Sequence, residues 1–169
     1  NPASALLFDQ RLNALTQVRD WYPNHFANLS LGFRPEDLAD ENAFREFISA
    51  FRQLVDASGE TLVIRDYNYA DYFGVPFSDP AQTPSLVNAL HDAFEIRSAV
   101  LVRHPLHQYD SLRSHRSAED TLSPTIFLEG YDAFLRDLGS SYTIRYEDFV
   151  AEPTATIRNL CTFLDLPYA

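Results

Sequence analysis

Arg103 and Ser111 are the residues whose types and spacing could do chemistry. A short apolar, β-branched run, Ala99-Val100-Leu101-Val102, ends at Arg103; Pro105 follows two residues later, and Ser111 stands eight positions beyond the arginine. The pattern is that of a strand, a tight turn and a helix start, because proline suits a first helical position, where its missing N–H has no partner to lose. A guanidinium at the carboxyl end of a parallel strand can present two N–H donors to two phosphate oxygens, and a hydroxyl from the following helix can add another. The chemistry would be the gripping of a phosphate. The same residues also fit a plain surface turn, with Arg103 beside a helix start and Ser111 solvated, and the pair alone does not decide between the two.

The elements that must position this turn can be read in outline. Phe44, Phe47, Ile48, Phe51, Leu54 and Val55 recur at helical spacing and predict the clearest amphipathic helix in the chain. Before it, Phe8, Leu12 and Leu15 predict a helix ending near Trp21, followed by a loop to Asp40 with a short helical turn after Pro35. Ser58-Gly59 should end the main helix, and Thr61-Leu62-Val63-Ile64 then reads as a buried strand that delivers Arg65-Asp66-Tyr67 at its carboxyl end. The aromatic-rich stretch Tyr67 to Gly74 and the prolines at 76, 80 and 84 read as an irregular loop. It is either a wall for an acceptor substrate or a loop pinned to the core by its rings. Helices are expected over Ser85–Phe94, over 105–116 with His107, Gln108, Ser111 and His115 on one face, and through Ile126 to Leu138. A strand over Tyr142–Tyr146, closed by Glu147-Asp148, and a last helix opened by Pro153 complete the chain.

Strands near 61, 98 and 142 separated by helices predict an α/β fold with a parallel sheet and flanking helices. Ligands in such folds sit outside the carboxyl ends of the strands, where Arg65-Asp66, Arg103 and Tyr146-Glu147 all fall.

Composition narrows the function. The chain has 169 residues, of which 46% are hydrophobic and 14% aromatic, enough for one globular domain, 1–169, with a real core. No run approaches a membrane span. A net charge of −11 argues against broad nucleic-acid or polyanion binding, so an anion must be held by a local cluster of arginines. All 13 basic residues are arginine. The single Cys161 excludes a disulfide framework and a cysteine-based zinc site and reads as a small buried hydrophobe. No His, Cys or carboxylate cluster has metal-ligand spacing, so no metal is expected. The absence of lysine and methionine suggests a GC-rich bacterial genome and a domain working in the cytoplasm. It also suggests that the chain is part of a larger protein.

Two segments together are more specific than any of these. Val102-Arg103-His104-Pro105 with Ser111 resembles the 3′-phosphate-binding motif of sulfotransferases that use 3′-phosphoadenosine 5′-phosphosulfate. Ile144-Arg145-Tyr146-Glu147-Asp148 through Pro153, followed by Phe163-Leu164 and Leu166-Pro167-Tyr168, is similar to a segment those enzymes carry downstream. The resemblance implies a P-loop nucleotide-binding architecture, incomplete at its N-terminus, and transfer of a sulfuryl group from that donor to a hydroxyl or amine. The acceptor would be a small molecule or carbohydrate. Arg103 and Ser111 would hold the donor's 3′-phosphate and Tyr146 would sit near its adenine. Ile64-Arg65-Asp66-Tyr67 occupies the place where relatives carry the catalytic base, usually histidine or glutamate. Asp66 is the candidate here, or Tyr67 or Tyr69 could position the acceptor instead, and Asp66 could equally be an ion-pair partner for Arg65. His104 stands where relatives usually have asparagine. The family's glycine-rich phosphosulfate loop is not found, so it is expected upstream of Asn1 or has been lost. A non-catalytic module with this fold, or a P-loop nucleotide kinase relative using ATP and magnesium, are the alternatives.

Overall fold

The computed structural model describes residues 10–29, 40–74, 80–114 and 122–168. Two short helices come first, α1 (Gln10–Trp21) and α2 (Pro23–Leu29). The second replaces part of the loop expected after Trp21: Pro23 stands at the first helical position, where a proline opens a helix as readily as it ends one. The turn expected after Pro35 lies outside the described residues.

The predicted amphipathic helix is α3 (Glu41–Ala57). Asp40 caps it, its side chain accepting a hydrogen bond from the Ala43 N–H at 3.0 Å. Phe44, Phe47, Ile48, Phe51 and Val55 form its buried face, each burial contributing about 1.5–3 kcal/mol. They pack with Ala14 and Val18 of α1 and with Leu86, Ala89 and Leu90 of α5 (Ser85–Leu90) in one hydrophobic cluster. A second cluster unites Tyr72 and Phe73 of α4 (Asn68–Phe73), Leu112 of α6 (Pro105–Arg113) and Phe127, Tyr131 and Ala133 of α7 (Pro124–Arg136). Helices α4 and α7 meet at Gly130, where a β-carbon would collide with the Tyr72 carbonyl oxygen.

The described sheet has two parallel strands, β1 (Ala99–Val102) and β2 (Tyr142–Arg145), in register from Ala99↔Tyr142 to Val102↔Arg145. This α/β pairing and its parallel sense are as expected. Tyr146, expected to finish a strand, instead opens α8 (Tyr146–Ala151), which puts Glu147 and Asp148 in a first helical turn, where their charge is favourable. Helix α9 (Pro153–Leu164) follows, and the rings of Tyr142 and Phe163 stack at 4.9 Å to seat it on β2. Cys161 is half-buried on it and free.

Two further expectations are corrected. Residues 61–64 do not join the described sheet. The segment is extended, with Leu62 and Ile64 packed against the first cluster, but α1 and the residue after it supply its partners. The Tyr22 hydroxyl donates to the Thr61 carbonyl at 3.1 Å and accepts from the Val63 N–H at 3.2 Å, while the Gln17 amide brackets both backbone groups of Arg65. Backbone groups satisfied by side chains need no strand neighbour. The tyrosine-rich stretch is the helix α4 rather than irregular chain, closed by Gly74 in the left-handed conformation (φ 64°). Its Tyr72 and Phe73 are buried, so these rings anchor it to the core, whereas Tyr69 remains exposed. Among the described residues no helix is long and apolar enough to cross a membrane.

Candidate functional site

Arg103 leaves the strand ladder immediately after the last rung, Val102↔Arg145. Its guanidinium lies over the Tyr146 ring at 4.8 Å from the centroid, a cation–π contact that holds a flexible side chain in one direction. The Arg103 Nε is buried and has no hydrogen-bond partner. An unpaired buried donor costs about 1–3 kcal/mol, so this one calls for a partner such as a water, an ion or a ligand. Among the described residues no carboxylate lies within ion-pair distance of Arg103, although Arg19, Arg45, Arg52, Arg97, Arg136 and Arg145 all have one.

The arginine borders a cleft of about 190 Å³ lined by Val102, Arg103, His104, Pro105, Tyr131, Arg145 and Glu147. That is below the roughly 300–1,000 Å³ of a site that swallows a whole small molecule, and it suits a single phosphate-sized group. Arg145 brings a second guanidinium, tied at 4.0 Å to Asp148. The Glu147 carboxyl is held below its ordinary range by the His104 N–H it accepts, by its own backbone N–H and by the Arg145 charge. Helix α6 starts at the cleft with Pro105, and the rings of His104 and His107 lie 5.1 Å apart. No group of three or more potential metal ligands occurs among the described residues.

The structure brings Arg103 and Tyr146 together, and not the other expected partner. Ser111 is exposed on α6 and does not line the cleft. His115, expected on the same helical face, lies outside the described residues.

Asp66 and Tyr67 stand at the end of the extended segment, also outside the lining of that cleft. The Asp66 carboxyl is pushed up to about 7, first by burial and second by the Asp71 charge, against a hydrogen bond from the Tyr67 backbone. Its Oδ1 is buried without a partner. Asp71 is in the opposite condition: it is buried, yet it accepts from the Ser85 N–H at 3.0 Å and the Ser85 hydroxyl at 2.6 Å. The ion pair between Arg65 and Asp66 does not form; the Arg65 guanidinium stacks on the Tyr67 ring at 4.3 Å. A carboxyl raised toward neutrality by burial, beside a second carboxyl held by two hydrogen bonds, is an arrangement suited to proton transfer.

A family model described as the sulfotransferase family matches residues 8–169. The chain belongs to the sulfotransferase family. No curated protein and no solved structure matches it at a significant level. Sulfotransferases are transferases that move a sulfuryl group to acceptor substrates, and both the arginine cleft and the buried carboxyl lie in a chain of that kind. Tyr131 at this sulfotransferase's cleft escaped the reading of the sequence, and Glu147 was read at the strand end without its partner. Tyr131 was hidden on the apolar face of α7; its only signal was that a buried tyrosine needs a partner for its hydroxyl. Glu147 was visible as an acidic residue after a strand, with nothing to show that it turns back toward the Arg103 loop.

Proposed function

We propose that this chain holds the 3′-phosphate of 3′-phosphoadenosine 5′-phosphosulfate in the Arg103 cleft and serves transfer of its sulfuryl group to the hydroxyl or amine of a small-molecule or carbohydrate acceptor. The observation that carries the reading is the Arg103 side chain: backed by the Tyr146 ring, free of any carboxylate among the described residues, and with a buried Nε awaiting an acceptor. Arg103 can offer a planar fork to a dianion, and Arg145 adds charge from the adjoining strand. Ser111 would add its hydroxyl from the exposed face of α6. Tyr146, placed against the guanidinium, would meet the nucleoside on its other side.

Asp66 is the base in this reading. An acceptor O–H or N–H would give its proton to the Asp66 carboxylate as the new bond to sulfur forms and the donor's bridging oxygen departs with the bond electrons. A carboxyl that titrates at about 7 is matched to that task at neutral pH. Tyr67 would orient the acceptor. The glycine-rich loop that cradles the 5′ end of the donor would come from a segment other than residues 1–169, completing a P-loop architecture.

The test is calorimetry of the full-length protein with adenosine 3′,5′-bisphosphate. Wild type should bind, and Arg103→Ala should weaken binding about 100-fold or more, the scale of losing a bidentate, charge-assisted contact. Unchanged affinity in the variant would remove Arg103 from the site. A preference for ATP with magnesium would favour phosphoryl transfer instead.

A further inference from the structure

The peptide that joins Arg103 to His104 is held at both ends by side chains from other elements. Its carbonyl accepts a hydrogen bond from the Tyr131 hydroxyl of α7 at 2.7 Å. Its N–H, contributed by His104, donates to Oε1 of Glu147 on α8 at 3.0 Å. This peptide lies between the last residue of β1 and the first of α6, so neither a strand ladder nor a helix supplies those two bonds. A peptide is planar, and fixing its C=O and its N–H fixes the plane. That in turn sets ψ of Arg103 and the direction in which its side chain leaves the backbone.

The two clamping residues differ in setting. Tyr131 is 8% exposed, with its ring packed on Phe127 at 5.5 Å, and its hydroxyl is anchored from the core side. Glu147 approaches from the cleft side and is one of its lining residues. A carboxylate in an anion cleft repels the ligand and is tolerated only if it does something else there. Holding the His104 N–H is that other task, and the Arg145 charge beside it offsets part of the repulsion.

We propose that Tyr131 and Glu147 are positioning residues that clamp the Arg103–His104 peptide and thereby aim the Arg103 guanidinium at its anion. The proposal rests on the reading of Arg103 as the phosphate ligand, and two measurements on the full-length protein keep the two separable. The first is the affinity for adenosine 3′,5′-bisphosphate. Glu147→Ala should weaken it about fivefold to tenfold, whereas Glu147→Gln, which keeps an acceptor oxygen and loses the charge, should restore wild-type affinity or exceed it. Tyr131→Phe, which keeps the ring and loses only the hydroxyl, should weaken it about fivefold. If Glu147→Ala binds as well as wild type or better, Glu147 is only a repulsive neighbour and the clamp is overturned.

The second measurement is amide hydrogen exchange at His104 without ligand. It should be faster in Glu147→Ala and Tyr131→Phe and near wild type in Glu147→Gln. If wild type fails to bind the bisphosphate, the donor assignment falls and exchange alone judges the clamp. Unchanged exchange at His104 in Glu147→Ala overturns it whatever the ligand result.

Discussion

Asp66 and Asp71 show how two carboxyl groups close in sequence acquire opposite properties. Asp71 is surrounded by donors from Ser85, and Asp66 has a buried oxygen with none. Burial and the Asp71 charge raise the Asp66 carboxyl to about 7 from 3.8, so between roughly these values the folded chain keeps a proton that the unfolded chain has released. The stability contributed by protonated Asp66 is complete below about 4 and is lost as pH rises through about 7. Asp66→Asn, which has no charge to bury, should therefore raise the melting temperature more at about pH 8 than at about pH 5. Equal gains at both values would show that this carboxyl does not titrate in the folded protein near neutrality. If Asp66 is the base proposed above, the wild-type turnover rate should climb as pH passes about 7, where its carboxyl loses its proton, and Asp66→Asn should lower it about 100-fold or more and flatten that rise. A variant that keeps most of its rate would assign proton removal to another group.

At the scale of elements, what was legible and what was not divides by the kind of information each signal carries. The helix α3 could be read because its apolar residues repeat at 3.6-residue spacing, a local property of the chain. The motif around Arg103 could be read for the same reason: an apolar run with a proline two residues beyond it is a local pattern of strand, turn and helix start. Residues 61–64 show the limit. Their apolar run was read as a buried strand and did mark an extended segment, of which Leu62 and Ile64 pack inward while Val63 is exposed, but what lies beside an extended segment is decided by residues far away, here Gln17 and Tyr22. Likewise nothing near Arg103 announced Tyr131, 28 residues on, as a partner of its carbonyl. The substitute pairing makes a prediction. Gln17 is 6% exposed and its bonds to both backbone groups of Arg65 are partly buried, so Gln17→Ala removes two partners that water replaces only in part and should cost about 1–3 kcal/mol. Tyr22→Phe removes a hydroxyl whose bonds to Thr61 and Val63 are exposed, and water can replace it for about 0.5–1 kcal/mol. Denaturant melts of the two variants should rank in that order; the reverse order would mean that the Gln17 bracket does not hold the segment.

For the whole molecule the governing fact is a net charge of −11 in a chain proposed to take up an anion. Most described arginines are neutralised by a carboxylate within 4.0 Å, but Arg65, Arg103, Arg113 and Arg158 each lie over a tyrosine ring instead. A ring supports a guanidinium without cancelling its charge, so these positions keep local positive potential on a negative background. A nucleotide carrying two phosphate groups should then be repelled at long range and captured only at contact. Because salt screens charges separated by more than about 8–10 Å at physiological ionic strength, it should relieve the repulsion more than it weakens the grip. The association rate of a fluorescent adenosine 3′,5′-bisphosphate, measured by stopped flow, should therefore hold level or rise as salt goes from about 20 to about 200 mM, with any loss of affinity confined to faster dissociation. A steep fall in the association rate over that range would instead mean that the approach to the cleft is steered by a positive field. The local arrangement of arginines on tyrosine rings would then not be what admits the ligand.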